Sequence, residues 1–521
     1  MDATRSDRRS ARRAKHAESP LLKIPFRQPR NPWPPLELLP PEELEKLHHA
    51  SLHILENIGV NFQDAEALDV WATSGAKVDH KEQRVWLDRG LVMELVKKAP
   101  SSFIWRARNP AHNVTIGGNA LAFGPNGGMV YVADLERGRR TGTLADYENF
   151  VRVSQTVGVL HFASWEQVAA MDVPPSFRHL RRLYAAFRLT DKAVMEGAVG
   201  RVITNDCLEM AQIVFGDMTT GGPVIGDVIN ASSPLRFDER MLGGLITYAR
   251  AGQVIYVTPF ILAGAMSPIT VAAALAQQNA EALAGVALAQ LVRPGAPVLM
   301  GGFTTNVDMK SGSPAFGTPE GAWAMSIGAQ LARYYGLPYR GSGSLTTSKL
   351  PDAQAAWETM WTLWPAVLSH NNLIMHAVGW LEGGLTASIE KFIIDLESLA
   401  MFQHFLNGFE INDDTLALDT LAPPARAGVI AEVGPGGHHF GTPHTQARFS
   451  TEFYDTFLAD RQGYENWAAA GEHDAAQRAH AIWKDLLAHY EQPPLDPALQ
   501  EALEDFVKRR EKELEGINLY E

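Results

Sequence analysis

Three glutamates stand close to aromatic or apolar residues that could form a pocket with them. Glu166 follows Trp165, Glu382 lies two residues after Trp380, and Glu196 closes the short apolar run Ala193–Met195. A permanently charged ammonium cannot donate a hydrogen bond. It is held by aromatic faces and a net negative field, each cation–π contact contributing roughly 0.5–2 kcal/mol. Glu166, Glu196 and Glu382 are therefore candidates for the field, with Trp165, Phe303 and Trp380 as walls. Asn126, Ser344 and His376 are candidates to orient a polar tail on the same ligand. The plainer alternative is that the tryptophans fill space and the glutamates pair with arginines. No catalytic residue is assigned.

Two glycine-rich stretches also carry polar residues. Gly341–Lys349 resembles a phosphate-cradling loop but lacks the Gly-Lys-Ser/Thr ending. Gly341 and Gly343 fit better as a rim that lets a flat or bulky group approach closely; Lys349 is most simply a surface cation. Gly434–His444 holds His438, His439 and His444, but the spacing matches no zinc signature and loop histidines are the simpler reading. No dinucleotide fingerprint and no Gly-x-Ser-x-Gly elbow occurs.

The totals exclude several classes. The formal net charge is −13 and charged residues make up 20% of 521. Nucleic acid is not expected as a partner, because phosphate backbones need clustered Lys and Arg. Cys207 is the only cysteine, so no intramolecular disulfide and no thiolate-rich zinc site can form. A reducing, cytoplasmic setting is expected. No run of 18 apolar residues predicts a membrane span. Met1–Ser19 is Arg-rich without an apolar stretch, which reads as a disordered tail more simply than as a transit peptide.

These residues need a scaffold. Apolar runs at Leu121–Gly124, Val159–Ala163, Ala193–Met195, Pro223–Ile229, Val254–Val257, Pro297–Met300, Leu337–Gly341 and Leu373–Val378 begin roughly 30 to 43 residues apart. Helical compositions such as Ser267–Val292 and Gly317–Tyr335 lie between them. Apolar throughout, the runs read as strands buried on both faces. Eight strand–helix units predict an α/β fold, a (β/α)8 TIM barrel, over 121–410, with a doubly wound sheet as competitor. A disordered, Pro-rich arm is expected over 1–40. An α+β cap is expected over 41–120, opened by a helix at Pro41 that stops at Gly59, followed by helices near 64–73 and 87–98. A loop and helical extension complete the chain over 411–521, with Asp496 capping the last helix. In such barrels chemistry sits at the C-terminal strand ends, which is where the candidates fall.

The combination Leu52–Gly59, Phe123–Gly128 with Asp134, Ser344–Gln354, Gly434–Gly437 with His444 and Thr445, Asp460 and Arg461 with Tyr464 and Trp467, and Pro493–Pro497 resembles the trimethylamine methyltransferase family from about Leu38 onward. That resemblance implies a barrel moving a methyl group from an amine to the cobalt of a separate corrinoid protein. The founding activity uses pyrrolysine, which this chain lacks, and His438–His439 departs from the family's pattern. The chain has no Asp-x-His-x-x-Gly, so another protein would carry the corrinoid (cobalamin). Gly341 and Gly343 are the candidates to approach it, and no metal or nucleotide of the chain's own is implied.

Chemistry narrows the donor. A quaternary ammonium leaves as a neutral amine and needs no acid, only orientation and desolvation. Trimethylamine would leave as an amide anion unless activated. The expected substrate is therefore a quaternary amine such as glycine betaine. The alternatives are trimethylamine, a sulfonium donor, or a betaine-binding barrel without chemistry. A homo-oligomer is left open.

Overall fold

The computed structural model describes residues 19–417 and 428–519. Seven strands form one parallel sheet in the spatial order Ala122–Phe123, Leu373–Met375, Tyr339–Ser342, Val298–Gly301, Val254–Val257, Ile225–Ile229, Val194–Met195. The register runs through pairs such as Gly226↔Val254, Ile255↔Val298 and Arg340↔Leu373. Residues 160–163 close the ring. Phe162 bridges Ala193 in parallel, and the His161 amide donates to the Phe123 carbonyl at 2.9 Å. The Phe123 amide in turn donates to Nδ1 of His161, also at 2.9 Å. A ring nitrogen replaces a carbonyl there, which is why the second expected strand makes a single bridge instead of a ladder. The fold is the (β/α)8 barrel expected, and all eight runs lie in its wall.

The interior is filled from below. The hairpin Ser102–Trp105 with Val114–Gly117 sends Trp105 into the barrel, where it is fully buried with Phe162, Met195, Tyr256 and Met375. Trp105 meets Phe162 edge-on at 5.0 Å. At Gly226 a Cβ would lie 2.9 Å from the indole, so that position must stay small for the ring to enter.

The expected Pro-rich arm is described from residue 19, and from there it is not loose. Residues 1–18, nearly all of the expected N-terminal tail, lie outside the described residues. The rest is tied across the N-terminal strand ends by backbone bonds from Asn31 to Asn119 and from Leu121 to Pro29, and by the Leu36 amide on the Leu368 carbonyl. Asn31 also donates to Val367. Proline fixes an extended course, which leaves backbone groups free to bond to the barrel.

The cap contains the helices Pro41–Asn57, Ala65–Thr73 and Arg89–Val96. Gly59, with φ of +78°, turns the chain after the first; Asp64 and Asp88 cap the other two. The cap packs on the barrel helix Val271–Val292, which is buried around most of its circumference and carries apolar residues on every side. A helix of that composition requires cover on both sides. The cap sheet borrows Arg236–Phe237 from a barrel loop. At the other end of the chain, Ala475–Ala488 packs on Ile389–Leu406, and Pro497–Glu513 packs on Arg178–Leu189.

Two small sheets rise beyond the C-terminal strand ends. One pairs Phe260–Ala263 with Phe303–Val307 and Pro314–Ala315; the other joins Trp380–Leu381, Thr386–Ser388, Tyr131–Asp134 and Gly138–Thr141. They carry aromatic residues over the barrel mouth. No helix among the described residues is long and apolar enough to cross a membrane, and Cys207 is a buried free thiol.

Candidate active site

A cavity of about 390 Å³ opens at the C-terminal ends of the strands. Its charged floor comes from neighbouring elements. Glu196 follows the strand Val194–Met195, Asp227 stands within Ile225–Ile229, and Arg182 comes from the helix Arg178–Leu189. Arg182 grips Glu196 with Nη2 at 2.5 Å and Nε at 3.3 Å and also pairs with Glu166. The plainer alternative therefore holds in part, since both glutamates pair with an arginine. They still line the cavity, and two carboxylates on one guanidinium leave negative charge over. Burial pushes the Glu196 carboxyl up to about 7, with Arg182 holding it back. Asp227 is raised as well, chiefly by burial, against donors at Val228, Ala198, Trp165 and Tyr256.

Trp165 donates its indole N–H to Asp227 Oδ1 at 2.9 Å, and the Tyr256 hydroxyl donates to the same oxygen at 3.2 Å. Trp165 has φ of +109°, a conformation a bulky side chain adopts only where its surroundings hold it. Gly127 is part of those surroundings, because a Cβ there would fall within the indole ring.

The opposite wall is aromatic. Phe303 faces Phe260 at 5.4 Å, His376 at 5.5 Å and Trp380 at 5.9 Å. His376 lies 4.5 Å from Trp380 and 5.1 Å from Trp165. Burial, then the nearby Arg340, holds His376 well below the usual imidazole range, so it is neutral. Arg340, on the strand Tyr339–Ser342, completes the lining. Its Nη2 donates to His376 Nε2 at 3.1 Å and its Nη1 to Ser342 Oγ at 3.1 Å. Its guanidinium carbon lies 5.5 Å from the Phe303 ring centre. Burial lowers it to about 10.

Of the residues expected from sequence, Trp165, Glu166, Glu196, Phe303, His376 and Trp380 line this cavity. The others do not. Glu382 sits on the rim, bound by Arg139 at 2.7 Å and by the Thr386 hydroxyl at 2.7 Å. The proximity of Trp380 in sequence is misleading here, because the strand ends at Leu381 and Glu382 itself takes a φ of +55°, which breaks the alternation and turns its side chain away. Ser344 is buried and donates to the Ala377 carbonyl at 2.6 Å. Asn126 is buried beside the cavity with neither amide atom partnered.

Gly341 and Gly343 do not form an approachable rim. A Cβ at Gly341 would strike Asn371, and one at Gly343 would strike Leu363. Both glycines are required by packing inside the wall, and nothing there fits a flat cofactor. Lys349 is exposed. His438 and His439 are exposed, and His444 turns toward the Asp414 carbonyl at 3.3 Å. Among the described residues no three side chains are grouped to ligate a metal. Sequence reasoning missed Arg182, Asp227 and Arg340. Asp227 and Arg340 lie inside strands, ahead of the strand ends where barrel chemistry is expected, while Arg182 comes from a helix whose Arg-rich composition looks like surface.

A closed parallel barrel that gathers aromatic and charged side chains at its C-terminal mouth defines a barrel enzyme with a small-molecule site. The chain belongs to the trimethylamine methyltransferase family, a family of methyltransferases, whose sequence model matches residues 5–515. It is 40% identical over 483 residues to the glycine betaine methyltransferase of Desulfitobacterium hafniense (strain Y51), covering 92% of this chain and 98% of that one. It is 33% identical over 475 residues to the trimethylamine methyltransferase MttB of Desulfitobacterium hafniense (strain DSM 10664 / DCB-2), covering 91% and 93%. It is 30% identical to the trimethylamine methyltransferase MttB1 of Methanosarcina mazei (strain ATCC BAA-159 / DSM 3647 / Goe1 / Go1 / JCM 11833 / OCM 88), covering 92% and 97%.

Proposed function

We propose that this chain transfers a methyl group from a quaternary amine of the glycine betaine class to the reduced cobalt of a corrinoid held by a separate protein, in the cytoplasm. The observation that carries the reading is the pairing of aromatic faces with buried carboxylates in one cavity. Trp165, Phe303 and Trp380 supply the faces; Glu196 and Asp227 supply the field. A trimethylammonium group satisfies both, whereas a hydrogen-bonding amine would leave the aromatic wall without a role. The 40% identity to a glycine betaine methyltransferase supports the same donor class.

The chemistry asks little of the protein beyond placement. As the N–CH3 bond breaks, its electron pair stays on nitrogen and a neutral tertiary amine leaves, so no proton is needed from Glu196. Holding the donor with one methyl toward the mouth removes much of the entropic barrier to an in-line transfer. The aromatic lid excludes water from the cation.

The test is to mix the protein with a reduced corrinoid protein and a panel of glycine betaine, choline, trimethylamine and a sulfonium analogue. Cobalt methylation is followed by absorbance. Methylation with glycine betaine and not with trimethylamine supports the reading. Methylation with trimethylamine or the sulfonium alone overturns the donor class; tight betaine binding without any methylation overturns the reaction.

A further inference from the structure

Arg182 and Arg340 both line the cavity and both are buried, but among the described residues only Arg182 is ion-paired. Arg182 has two carboxylates. Arg340 is 2% exposed, and among the described residues no carboxylate approaches it within ion-pair distance; its two hydrogen-bond acceptors, His376 and Ser342, are both neutral. Its Nε has no partner. Asp227 acts on it only from a distance; a buried guanidinium without a contacting counter-charge is costly to keep, and such groups in a cleft mark functional sites.

The histidine beside it fixes its orientation. A guanidinium can only donate, so His376 Nε2 accepts from Arg340 and the imidazole proton resides on Nδ1. That Nδ1 is also buried without a partner. Its φ of +54° shows that the backbone holds the ring in this place at some cost. Held by His376 and Ser342, the Arg340 guanidinium lines the cavity as a fixed, always charged fork of donors, the group best matched to the plane of a carboxylate.

From this we infer that Arg340, positioned by His376, forms a carboxylate seat, and that the site selects zwitterionic donors, a quaternary ammonium with a carboxylate a short link away, over cations without one. The inference rests on the quaternary-amine reading for the ammonium half. The cavity has matching polarity: Asp227, Glu196 and Glu166 on one side, Arg340 on the other, and Trp165, Phe303 and Trp380 between them. It also explains why the site needs an arginine at all, since a bare cation would be repelled by Arg340. Arg340 and His376 would act on binding and specificity rather than on the bond that breaks.

The experiment is calorimetric titration of the whole protein, without any corrinoid partner, using three ligands. Glycine betaine carries both groups. Choline carries the same ammonium without the carboxylate. 3,3-Dimethylbutyrate carries the same carboxylate on an uncharged head of the same shape. The unaltered protein is expected to bind glycine betaine at least about tenfold more tightly than choline, and Arg340→Gln to lose about 10- to 100-fold for glycine betaine. The same variant is expected to bind choline no more weakly than the unaltered protein does. Arg340→Lys, which keeps the charge and loses the fork, recovers part of the loss, and thermal melting checks that each variant is folded.

Equal losses for glycine betaine and choline in both variants overturn the seat while leaving the quaternary-amine reading intact. Binding of 3,3-dimethylbutyrate that Arg340→Gln abolishes, with no binding of either ammonium ligand, has the opposite meaning: the seat stands and the donor class falls.

Discussion

Trp165 donates its indole N–H to Asp227 at 2.9 Å, so the aromatic face and the negative charge offered to a cation form one hydrogen-bonded unit. Trp165→Phe keeps a ring but leaves Asp227 short of a donor. The expected cost is about 1 kcal/mol of stability and a donor affinity lower by about threefold to tenfold, because Phe is the poorer cation–π face. Melting curves and calorimetric titration with tetramethylammonium check the two effects separately.

Gly127 lies against the same ring. Gly127→Ala places a methyl group where the indole now sits, and Trp165 has no relaxed conformation to retreat to at φ of +109°. Donor affinity is expected to fall by about tenfold or more while the fold survives, since the displaced group lies at the mouth and not in the core. A binding loss larger than the shift in melting temperature would explain is the outcome that supports this role.

The Glu196 carboxyl, raised to about 7 by burial, gives cation binding a pH dependence. The groups facing it are Arg182, Glu166 and Asp227. A cation favours the ionised form, which predominates above that value. Affinity for tetramethylammonium is therefore expected to rise as pH climbs through about 7 and to level off above it. Burial also lowers Lys192 to about 7, but that ammonium is held by the carbonyls of Ser154, Val157 and Leu160 away from the cavity. Glu196→Gln should flatten the profile; a profile unchanged in that variant would assign the titration elsewhere.

Glu382 is bound to Arg139 on the rim. Glu382→Gln is expected to leave donor affinity within about twofold and to change stability by no more than about 1 kcal/mol, as for other partly exposed pairs. A large affinity loss, measured by the same titration, would place this residue closer to the donor than its position shows.

Lys391 and Asp395 are a fully buried pair, Nζ lying 2.7 and 2.9 Å from the two carboxylate oxygens. Lys391 also donates to the Ser344 carbonyl, and Asp395 accepts from the Gly379 amide, so the pair ties together the loops after the last two strands. Lys391→Met leaves the carboxylate alone and is expected to cost about 3–5 kcal/mol. Because a lone buried carboxyl is tolerated best when protonated, denaturation at decreasing pH should show that deficit shrink.

The barrel was legible in the sequence because each buried parallel strand must be apolar throughout, and eight such runs recur at a regular distance. The cap helices were legible from Pro41, Gly59, Asp64 and Asp88, whose local chemistry sets helix ends whatever surrounds them. The aromatic half of the cavity followed from reading strand ends. The polar half did not, because Asp227 and Arg340 look like interruptions of strands, and a charge inside a strand has no periodic signal. Glu382 and Ser344 show the converse limit. Both follow apolar runs, but positive φ at each directs them away from the cavity, and no pattern in the neighbouring residues announces that turn.

Trp105 stoppers the barrel from the side opposite the mouth, so among the described residues the chamber opens at the C-terminal strand ends. Under the proposed reaction that mouth serves the donor, the spent amine and the docked acceptor in turn. The donor has to board first, and its residue stays trapped until the visiting protein lifts away.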